Sequence, residues 1–195
     1  MPSYFRLQLE DWLKQISVGP GRILDVGGAQ KPVAPRLAKC EAHEILTLDL
    51  ETPHEGPKPD IAADLNIWDE TKVLGLAEVD ADVVFCLEVM EYIWNPLAAL
   101  SNIMLTMKPG ATLYISFPFV YPIHKPYGAD FLRYTEDGAR KLLEVSGFEI
   151  QEVRPRVARS VHLLKAFYSN DGMKHRSDDS VGDTGYMIIA KRPKI

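Results

Sequence analysis

Short apolar runs alternate along this chain with stretches in which apolar residues recur every three or four positions. The runs have the length of strands, and the periodic stretches have the length of helices. The predicted strands are 22–26, 44–48, 60–63, 82–87, 111–117, 148–153 and 185–190. The predicted helices are 4–17, 96–107 and 136–145, the last capped by Thr135. This alternation predicts an α/β fold in which helices cover both faces of a parallel sheet.

Three stretches stand outside the alternation. Residues 1–18 precede the first strand and form a lead-in helix. Residues 117–134 begin with three prolines and four aromatic residues within 117–128, a spacing that no regular element tolerates. Residues 169–184 are mostly polar. We expect 117–134 and 169–184 to be loops, and we regard both as candidate substrate loops of one domain spanning 1–195.

Composition narrows the class of protein. The 195 residues are 46% hydrophobic, which suits one domain with a substantial core. With 22 Lys and Arg against 27 Asp and Glu, the net charge is −5 and no basic run occurs. A nucleic-acid partner is therefore not expected, although the charge does not exclude RNA.

The sequence also bears on location. Its longest apolar stretches fall short of the roughly 18 residues that a membrane span needs. Charged Arg6, Glu10 and Asp11 stand where a signal peptide would be apolar. Cys40 and Cys86, the only cysteines, are too few for a disulfide framework. We expect a cytoplasmic protein without a membrane span, and the sequence gives no indication of its oligomeric state.

A glycine turn follows the first predicted strand. Asp25 lies near the end of that strand, and Gly27 and Gly28 let the backbone approach a ligand closely. The turn lacks the glycine spacing of a dinucleotide fingerprint and the Gly-Lys-Ser/Thr ending of a phosphate loop. It therefore favours a nucleoside cofactor without phosphates. The alternative is a tight turn in which Asp25 caps a helix.

Further acids follow the next three strands. Asp49 can accept hydrogen bonds from both hydroxyls of a ribose. Asp64 can accept a bond from an adenine amine while Leu65 packs on the base, and Glu88 lies beside the same cleft. Each alone is more typical of a solvated turn, but acids at four successive strand ends indicate one site.

The chain resembles class I S-adenosylmethionine-dependent methyltransferases, in particular a type 11-like subgroup, over nearly its whole length. The motifs that carry the resemblance are Ile23-Leu24-Asp25-Val26-Gly27-Gly28, Asp49, Ala63-Asp64-Leu65, Asp82-Val83-Val84-Phe85-Cys86-Leu87-Glu88-Val89-Met90-Glu91-Tyr92 and Leu105-Thr106-Met107-Lys108-Pro109-Gly110-Ala111-Thr112-Leu113. The chain departs from the family pattern at Ala29 and Lys31, which replace later glycines, and at Tyr92, where many relatives have His.

The resemblance implies a three-layer sandwich with a mostly parallel, seven-stranded Rossmann-like sheet whose last strand is antiparallel. It implies S-adenosylmethionine as cofactor and no metal. The implied cofactor-binding residues are Asp25, Gly27 and Gly28 at the methionine part, Asp49 on the ribose, Asp64 and Leu65 at adenine, and Glu88 beneath the cofactor, together with Leu50.

Acceptor chemistry is harder to derive, because the sulfonium already activates the methyl group. His124 is the candidate base, with a structural or substrate-binding role as the alternative. The segment from His124 to Thr135 resembles a subgroup stretch associated with sugar and surface-polysaccharide biosynthesis. Its candidate substrate residues are Tyr121, Asp130, Arg133 and Tyr134. Asp130 and Arg133 could equally pair locally to fix the loop.

Other classes fit less well. Tyr121 and Lys125 match the catalytic spacing of NAD-dependent reductases, but Pro122 between them opposes the necessary helix. The five histidines are scattered, which disfavours a metal hydrolase. A non-catalytic S-adenosylmethionine-binding partner subunit stays open. Arg154, Arg156 and Arg159 are interpreted as the solvated start of a helix, or as contacts to an anionic substrate.

The sequence thus predicts methyl transfer from S-adenosylmethionine to oxygen or nitrogen of a small-molecule or glycan-like acceptor.

Overall fold

The computed structural model describes residues 4–53, 56–67, 75–123, 128–157 and 183–194. Within these ranges the strands are β1 Ser17–Val18, β2 Arg22–Val26, β3 Lys39–Cys40, β4 Glu44–Asp49, β5 Ile61–Ala62, β6 Ala81–Cys86, β7 Met107–Pro118, β8 Glu149–Val157 and β9 Asp183–Lys191. The helices α1, α2 and α3 are Tyr4–Leu13, Pro96–Leu105 and Glu136–Val145, and two 3-10 turns are Ala34–Arg36 and Met90–Tyr92.

Seven strands form one sheet in the order β5-β4-β2-β6-β7-β9-β8. The five strands from β5 to β7 are parallel, and β9 runs antiparallel to both of its neighbours. This confirms the predicted mixed sheet. The chain leaves β2 for β4 on one side and returns to β6 on the other, so the order reverses beside β2. Ligands of open α/β sheets bind outside the carboxyl ends of the strands at such a reversal.

Consecutive residues of the central strands face opposite sides of the sheet. Leu24 and Val84 enter a large core that includes Leu100 of α2 and Leu143 of α3. Ile23 and Phe85 enter a second core, which α1 closes with Leu9, Trp12 and Leu13. Helices thus pack on both faces, giving the predicted three layers.

Side-chain caps fix where two helices begin. The Thr135 hydroxyl accepts the Gly138 N–H at 3.1 Å, as the sequence predicts, and Glu136 and Asp137 occupy the first turn of α3. Asn95 caps α2 by accepting the Ala98 N–H at 3.4 Å, and Pro96 follows. The caps set the first residue of each helix, and both helices pack on the large core through Leu100 and Leu143.

Helix α1 also touches the edge of the sheet. The Gln8 amide nitrogen donates to the Val157 carbonyl at 3.1 Å, and its oxygen accepts the Val157 N–H at 2.9 Å. Because β8 is the terminal strand of the sheet order, these bonds satisfy both backbone groups of one residue at the sheet's outer edge.

Two local predictions are wrong. The predicted helix 4–17 is too long, because α1 ends at Leu13 and Ser17 belongs to β1, which pairs with β3 in a small parallel sheet. The predicted strand 111–117 is too short, because β7 begins at Met107 and includes Pro109 and Gly110, and its register against β6 shifts after Ala81. Gly110 has a φ of +83° and donates its N–H to the Arg192 carbonyl at 2.9 Å, so an irregular strand accommodates the pair.

No helix in the described part of the chain is long and apolar enough to cross a membrane.

Candidate active site

Two adjoining cavities open at the carboxyl ends of the parallel strands. The larger, of about 390 Å³, lies beside the ends of β4 and β5, and the smaller, of about 270 Å³, lies between the glycine turn and α1. Every predicted cofactor residue lines at least one of them. Gly27, Asp49, Leu50, Asp64, Leu65 and Glu88 line the larger, and Asp25, Gly27, Gly28 and Glu88 line the smaller.

The glycine turn leaves no room for side chains. Gly27 has a φ of +70°, and its N–H donates to the Leu48 carbonyl at 2.8 Å. A Cβ on Gly27 would lie 2.5 Å from Val89 Cγ2, and a Cβ on Gly28 would collide with the Asp25 carboxylate. The backbone of the turn therefore forms the wall shared by the cavities.

Asp25 holds the segment after the turn. Its side chain accepts the Val33 N–H at 2.7 Å, and the residue is only 4% exposed. Burial raises the pKa of Asp25 to about 6, although the Val33 bond and the charge of Arg36 act in the opposite direction. The alternative of a helix cap is close to the observed contact, since Val33 directly precedes the Ala34–Arg36 turn.

The acids after β4 and β5 are bonded locally. Asp49 accepts the Leu50 N–H at 2.8 Å, and partial burial raises its pKa. Asp64 accepts the backbone N–H of Asn66 at 2.9 Å and its side-chain amide at 3.0 Å. The Asn66 oxygen in turn accepts the N–H of Trp94 at 2.8 Å. Asn66 thus ties the loop after β5 to the segment before α2.

Sequence reasoning missed several residues that line the larger cavity. They are Gln30, Asn66, Val89, Ile93, Trp94, Ala129 and Phe131. Trp94 is 57% exposed, and Phe131 is also exposed, so each presents an aromatic face at the opening. An exposed Trp directly before the Asn-Pro that starts α2 is the one signal that could have marked this rim.

Glu88 lies between the cavities and lines both. Its φ of +59° is in the left-handed region, which costs a non-glycine residue of order 1 kcal/mol. Its N–H donates to the Ser116 hydroxyl at 2.8 Å, while that hydroxyl donates to Oε1 at 3.0 Å. Arg156 Nη2 also contacts Oε1 at 3.0 Å. Burial alone would raise the pKa of Glu88, but Arg156 and the Ser116 bond together lower it.

Arg156 corrects the interpretation of 154–159 as a helix start. Arg154 and Arg156 belong to β8, and Arg156 is 1% exposed. Within the described residues its Nε and Nη1 have no hydrogen-bond partner. A Cβ on Gly185 would lie 3.1 Å from Nη2, so glycine there makes room for the guanidinium. Arg159 lies outside the described residues.

The predicted substrate residues lie beside the cavities without lining them. Asp130, whose side chain is 1% exposed, forms an ion pair with Arg133, so the alternative of a local pair is observed. The buried Tyr134 donates its hydroxyl to the Met90 carbonyl at 3.0 Å. Tyr121 packs against Phe5 with ring centroids 5.5 Å apart.

Two predictions fall on undescribed parts of the chain. His124 lies outside the described residues, as does the candidate loop 169–184 except for its last two positions. The described residues contain no cluster of three or more potential metal ligands.

Positive charge gathers beside the smaller cavity. Arg6, Lys31 and Arg36 line it and bond the single carboxylate of Glu10 at 2.9, 2.7 and 3.1 Å. Burial opposes ionisation of Glu10, yet its bonds to these cations lower its pKa to about 2. The carboxylates of Asp25 and Glu88 line the same cavity and interact with Arg36 and Arg6, so positive side chains on one wall face negative ones on another.

The chain matches a known protein family over most of its length. Residues 3–153 match the model of a family described as methyltransferase domain. No curated protein has a sequence that matches this chain.

Among solved structures, the chain is similar to an S-adenosylmethionine-dependent methyltransferase from Mesorhizobium loti, with 14% identity, a TM-score of 0.58, and coverage of 96% of this chain and 98% of that one. It is also similar to an S-adenosylmethionine-dependent methyltransferase from Archaeoglobus fulgidus, with 15% identity, a TM-score of 0.59, and coverage of 96% of this chain and 92% of that one. The [4+2]-cyclase SpnF has 14% identity and a TM-score of 0.62, with coverage of 95% of this chain and 80% of that one. The fold alone therefore does not specify the reaction.

The family match covers more than half of the chain and agrees with the sheet order and with the acids at the strand ends. It confirms the predicted family, enzyme class and cofactor. The chain belongs to the methyltransferase domain family, with the class I fold of S-adenosylmethionine-dependent methyltransferases.

Proposed function

We propose that this protein transfers the methyl group of S-adenosylmethionine to a hydroxyl or amine of a small-molecule or glycan-like acceptor. The observation that carries the proposal is the placement of four acids, from four successive strand ends, around two adjoining cavities. The volume of the larger cavity lies in the usual range of small-molecule sites.

The larger cavity suits the nucleoside. In the proposed complex Asp49 accepts hydrogen bonds from the ribose hydroxyls and Asp64 accepts one from the adenine amine, while Leu65 of the same lining forms an apolar wall. Leu48 and Ile93 are buried in the same lining and extend that wall. An adenosine needs this combination of a flat apolar slot and a few acceptor atoms.

The smaller cavity suits the methionine end, which carries both an ammonium and a carboxylate. Asp25 supplies negative charge on one wall, while Arg6, Lys31 and Arg36 supply positive charge on another. The buried Nη2 of Arg36 has no partner within the described residues, so it is available to a carboxylate oxygen. Opposite charges on two walls fix the orientation of a zwitterion.

When bound, S-adenosylmethionine supplies an activated methyl group. The chain's own residues then have to hold the acceptor in line and exclude water. Exposed Phe131 and Trp94 at the opening support an acceptor with a flat or weakly polar face, such as a sugar ring. The proposed role of His124 as base rests on the chemistry of imidazole and on its place in the loop after the fifth predicted strand. The proposed roles of Tyr121, Asp130, Arg133 and Tyr134 at the acceptor rest on the sequence.

The orientation is tested by calorimetry with S-adenosylhomocysteine and with methylthioadenosine, which lacks the amino-acid group. We expect Arg36→Met to weaken S-adenosylhomocysteine binding about tenfold, the value of one charge-assisted bond, and to leave methylthioadenosine unaffected. Lys39→Met, which removes an exposed pair with Glu41, is the matched control. Equal losses for both ligands would contradict the orientation.

The acceptor is tested by a screen of sugars, nucleotide sugars, amines and phenols that measures release of S-adenosylhomocysteine. We expect turnover with a hydroxyl or amine compound that carries a ring. Turnover only with a carbon or sulfur nucleophile would overturn the acceptor class while leaving methyl transfer intact.

A further inference from the structure

Among the described residues, Glu88 is the one ionisable residue that lines both cavities. Only four residues of the described chain line both cavities: Val26, Gly27, Gln30 and Glu88. With the nucleoside in one cavity and the methionine end in the other, the atom that joins them lies at this boundary. In S-adenosylmethionine that atom is the sulfonium, which carries a full positive charge.

The carboxylate is held rigidly at this boundary. Ser116 and Arg156 both bond Oε1, at 3.0 Å each. The side chain of Glu88 is 17% exposed, and its backbone is held in a strained conformation by the bond to Ser116. A strained residue whose carboxylate is fixed from two strands is typical of a binding site.

We propose that Glu88, positioned by the buried Arg156, recognises the sulfonium charge and thereby distinguishes S-adenosylmethionine from S-adenosylhomocysteine. The proposal rests on the proposed orientation of the cofactor. Methyl transfer removes the charge from sulfur, so the attraction is present before the reaction and absent after it. The same carboxylate then favours binding of the donor and release of the product.

Arg156 acts through Glu88 and is a positioning residue. Burial would raise the pKa of Glu88, and the adjacent guanidinium opposes this, so the carboxylate stays ionised near neutral pH. Among the described residues, the other charged or titratable groups that line the two cavities with Glu88 are Arg6 of α1, which also lowers its pKa, and Asp25, Lys31, Arg36, Asp49, Asp64 and Tyr92.

The experiment measures affinity for both ligands by calorimetry and takes their ratio. We expect Glu88→Gln to weaken S-adenosylmethionine binding about tenfold, with S-adenosylhomocysteine affinity changed less than about threefold. Because Glu88→Gln leaves Arg156 without a counter-charge, the double variant Glu88→Gln/Arg156→Met is measured as well, and the same fall in the ratio is expected.

The positioning role is tested by pH. The ratio is expected to be constant for the wild type between about pH 6 and 9, since the amino-acid group common to both ligands cancels. In Arg156→Met the pKa of Glu88 rises, so the ratio should fall as pH falls and recover as pH rises. Arg156→Lys should restore most of the wild-type profile.

An unchanged ratio in both Glu88 variants would overturn the proposal, as would an equal loss for the two ligands. Failure of the wild type to bind either ligand would instead refute the cofactor site. If Arg36→Met weakens S-adenosylhomocysteine binding and Glu88→Gln lowers the affinity ratio, the results support both the cofactor orientation and the recognition of the sulfonium by Glu88.

Discussion

The carboxyl ends of β2, β4, β5 and β6 differ from the loop between β7 and α3 in how their polar groups are satisfied. In the first region, Asp25 and Asp49 accept one backbone N–H each, and both have a raised pKa. In the loop, Asp130 is bonded by the guanidinium of Arg133, and Tyr134 donates to a buried carbonyl. Asp25 and Asp49 thus keep acceptor capacity for a ligand, whereas the polar groups of Asp130 and Tyr134 are already bonded within the protein.

The largest effect is expected from Gly28→Ala. The added methyl collides with the Asp25 carboxylate, and an overlap in a close-packed turn costs up to about 3 kcal/mol, so S-adenosylhomocysteine affinity should fall about 100-fold. Gly19→Ala is the control, because a Cβ there meets nothing within 4 Å. Calorimetric affinity within threefold of wild type would contradict the tight turn.

Neutralising Asp25 and neutralising Asp130 should change the free energy of unfolding in opposite directions. The pKa of Asp25 is raised in the folded state from 3.8 to about 6, so the folded state binds its proton more tightly. The contribution of Asp25 to stability is therefore fully present below about pH 4, falls as pH rises through about 6, and is constant above it. We expect Asp25→Asn to raise the free energy of unfolding at pH 7 by about 2 kcal/mol and to flatten this fall.

Denaturant unfolding at several pH values measures that change, and Asp130→Asn supplies the comparison. It leaves Arg133 without its ion partner, so stability at pH 7 should fall by about 2 kcal/mol. A fall in both variants would mean that Asp25 is as well satisfied as Asp130.

A smaller change is expected from Asp49→Ala. Loss of an acceptor for the ribose hydroxyls should weaken S-adenosylhomocysteine binding about tenfold in calorimetry. Asp82→Ala is a matched control, since this acid bonds Arg22 and Lys108 at the opposite ends of the strands. It should lower stability and leave affinity unchanged, and an unaffected affinity in Asp49→Ala would remove that residue from the site.

The smallest effect is expected from a change at the start of α3, away from both cavities. Thr135→Ala removes the cap of α3, and we expect a loss of about 1 kcal/mol in the free energy of unfolding. Cofactor affinity should stay within twofold of wild type. A tenfold loss of affinity would show that the loop and the cavities are coupled more closely than their hydrogen bonds indicate.

The sequence predicted the position of a residue correctly where that position depends on neighbouring residues in the chain. Asp49 and Asp64 each follow a strand that its own apolar run predicts, so their shared edge could be derived from the chain order. Thr135 caps the helix that begins beside it. The reversal beside β2 completes the argument, because it brings the ends of separately predicted strands together.

Long-range partners could not be derived in this way. Arg156 lies 68 positions after Glu88 and reaches it only because β8 and β9 fold back beside β7. Its charge suggested a solvated position, since a buried arginine is rare without a partner. Asn66 and Trp94 were missed for the same reason, as their contact joins a loop to the start of a different helix.

The paired bonds between Gln8 and Val157 have a consequence for association between chains. An edge strand with open N–H and carbonyl groups is a template on which another strand can add. Here a side-chain amide imitates the backbone of a neighbouring strand at the end of β8 and occupies that position. The lead-in helix therefore blocks the addition of another strand at this position of the edge, as well as closing the core.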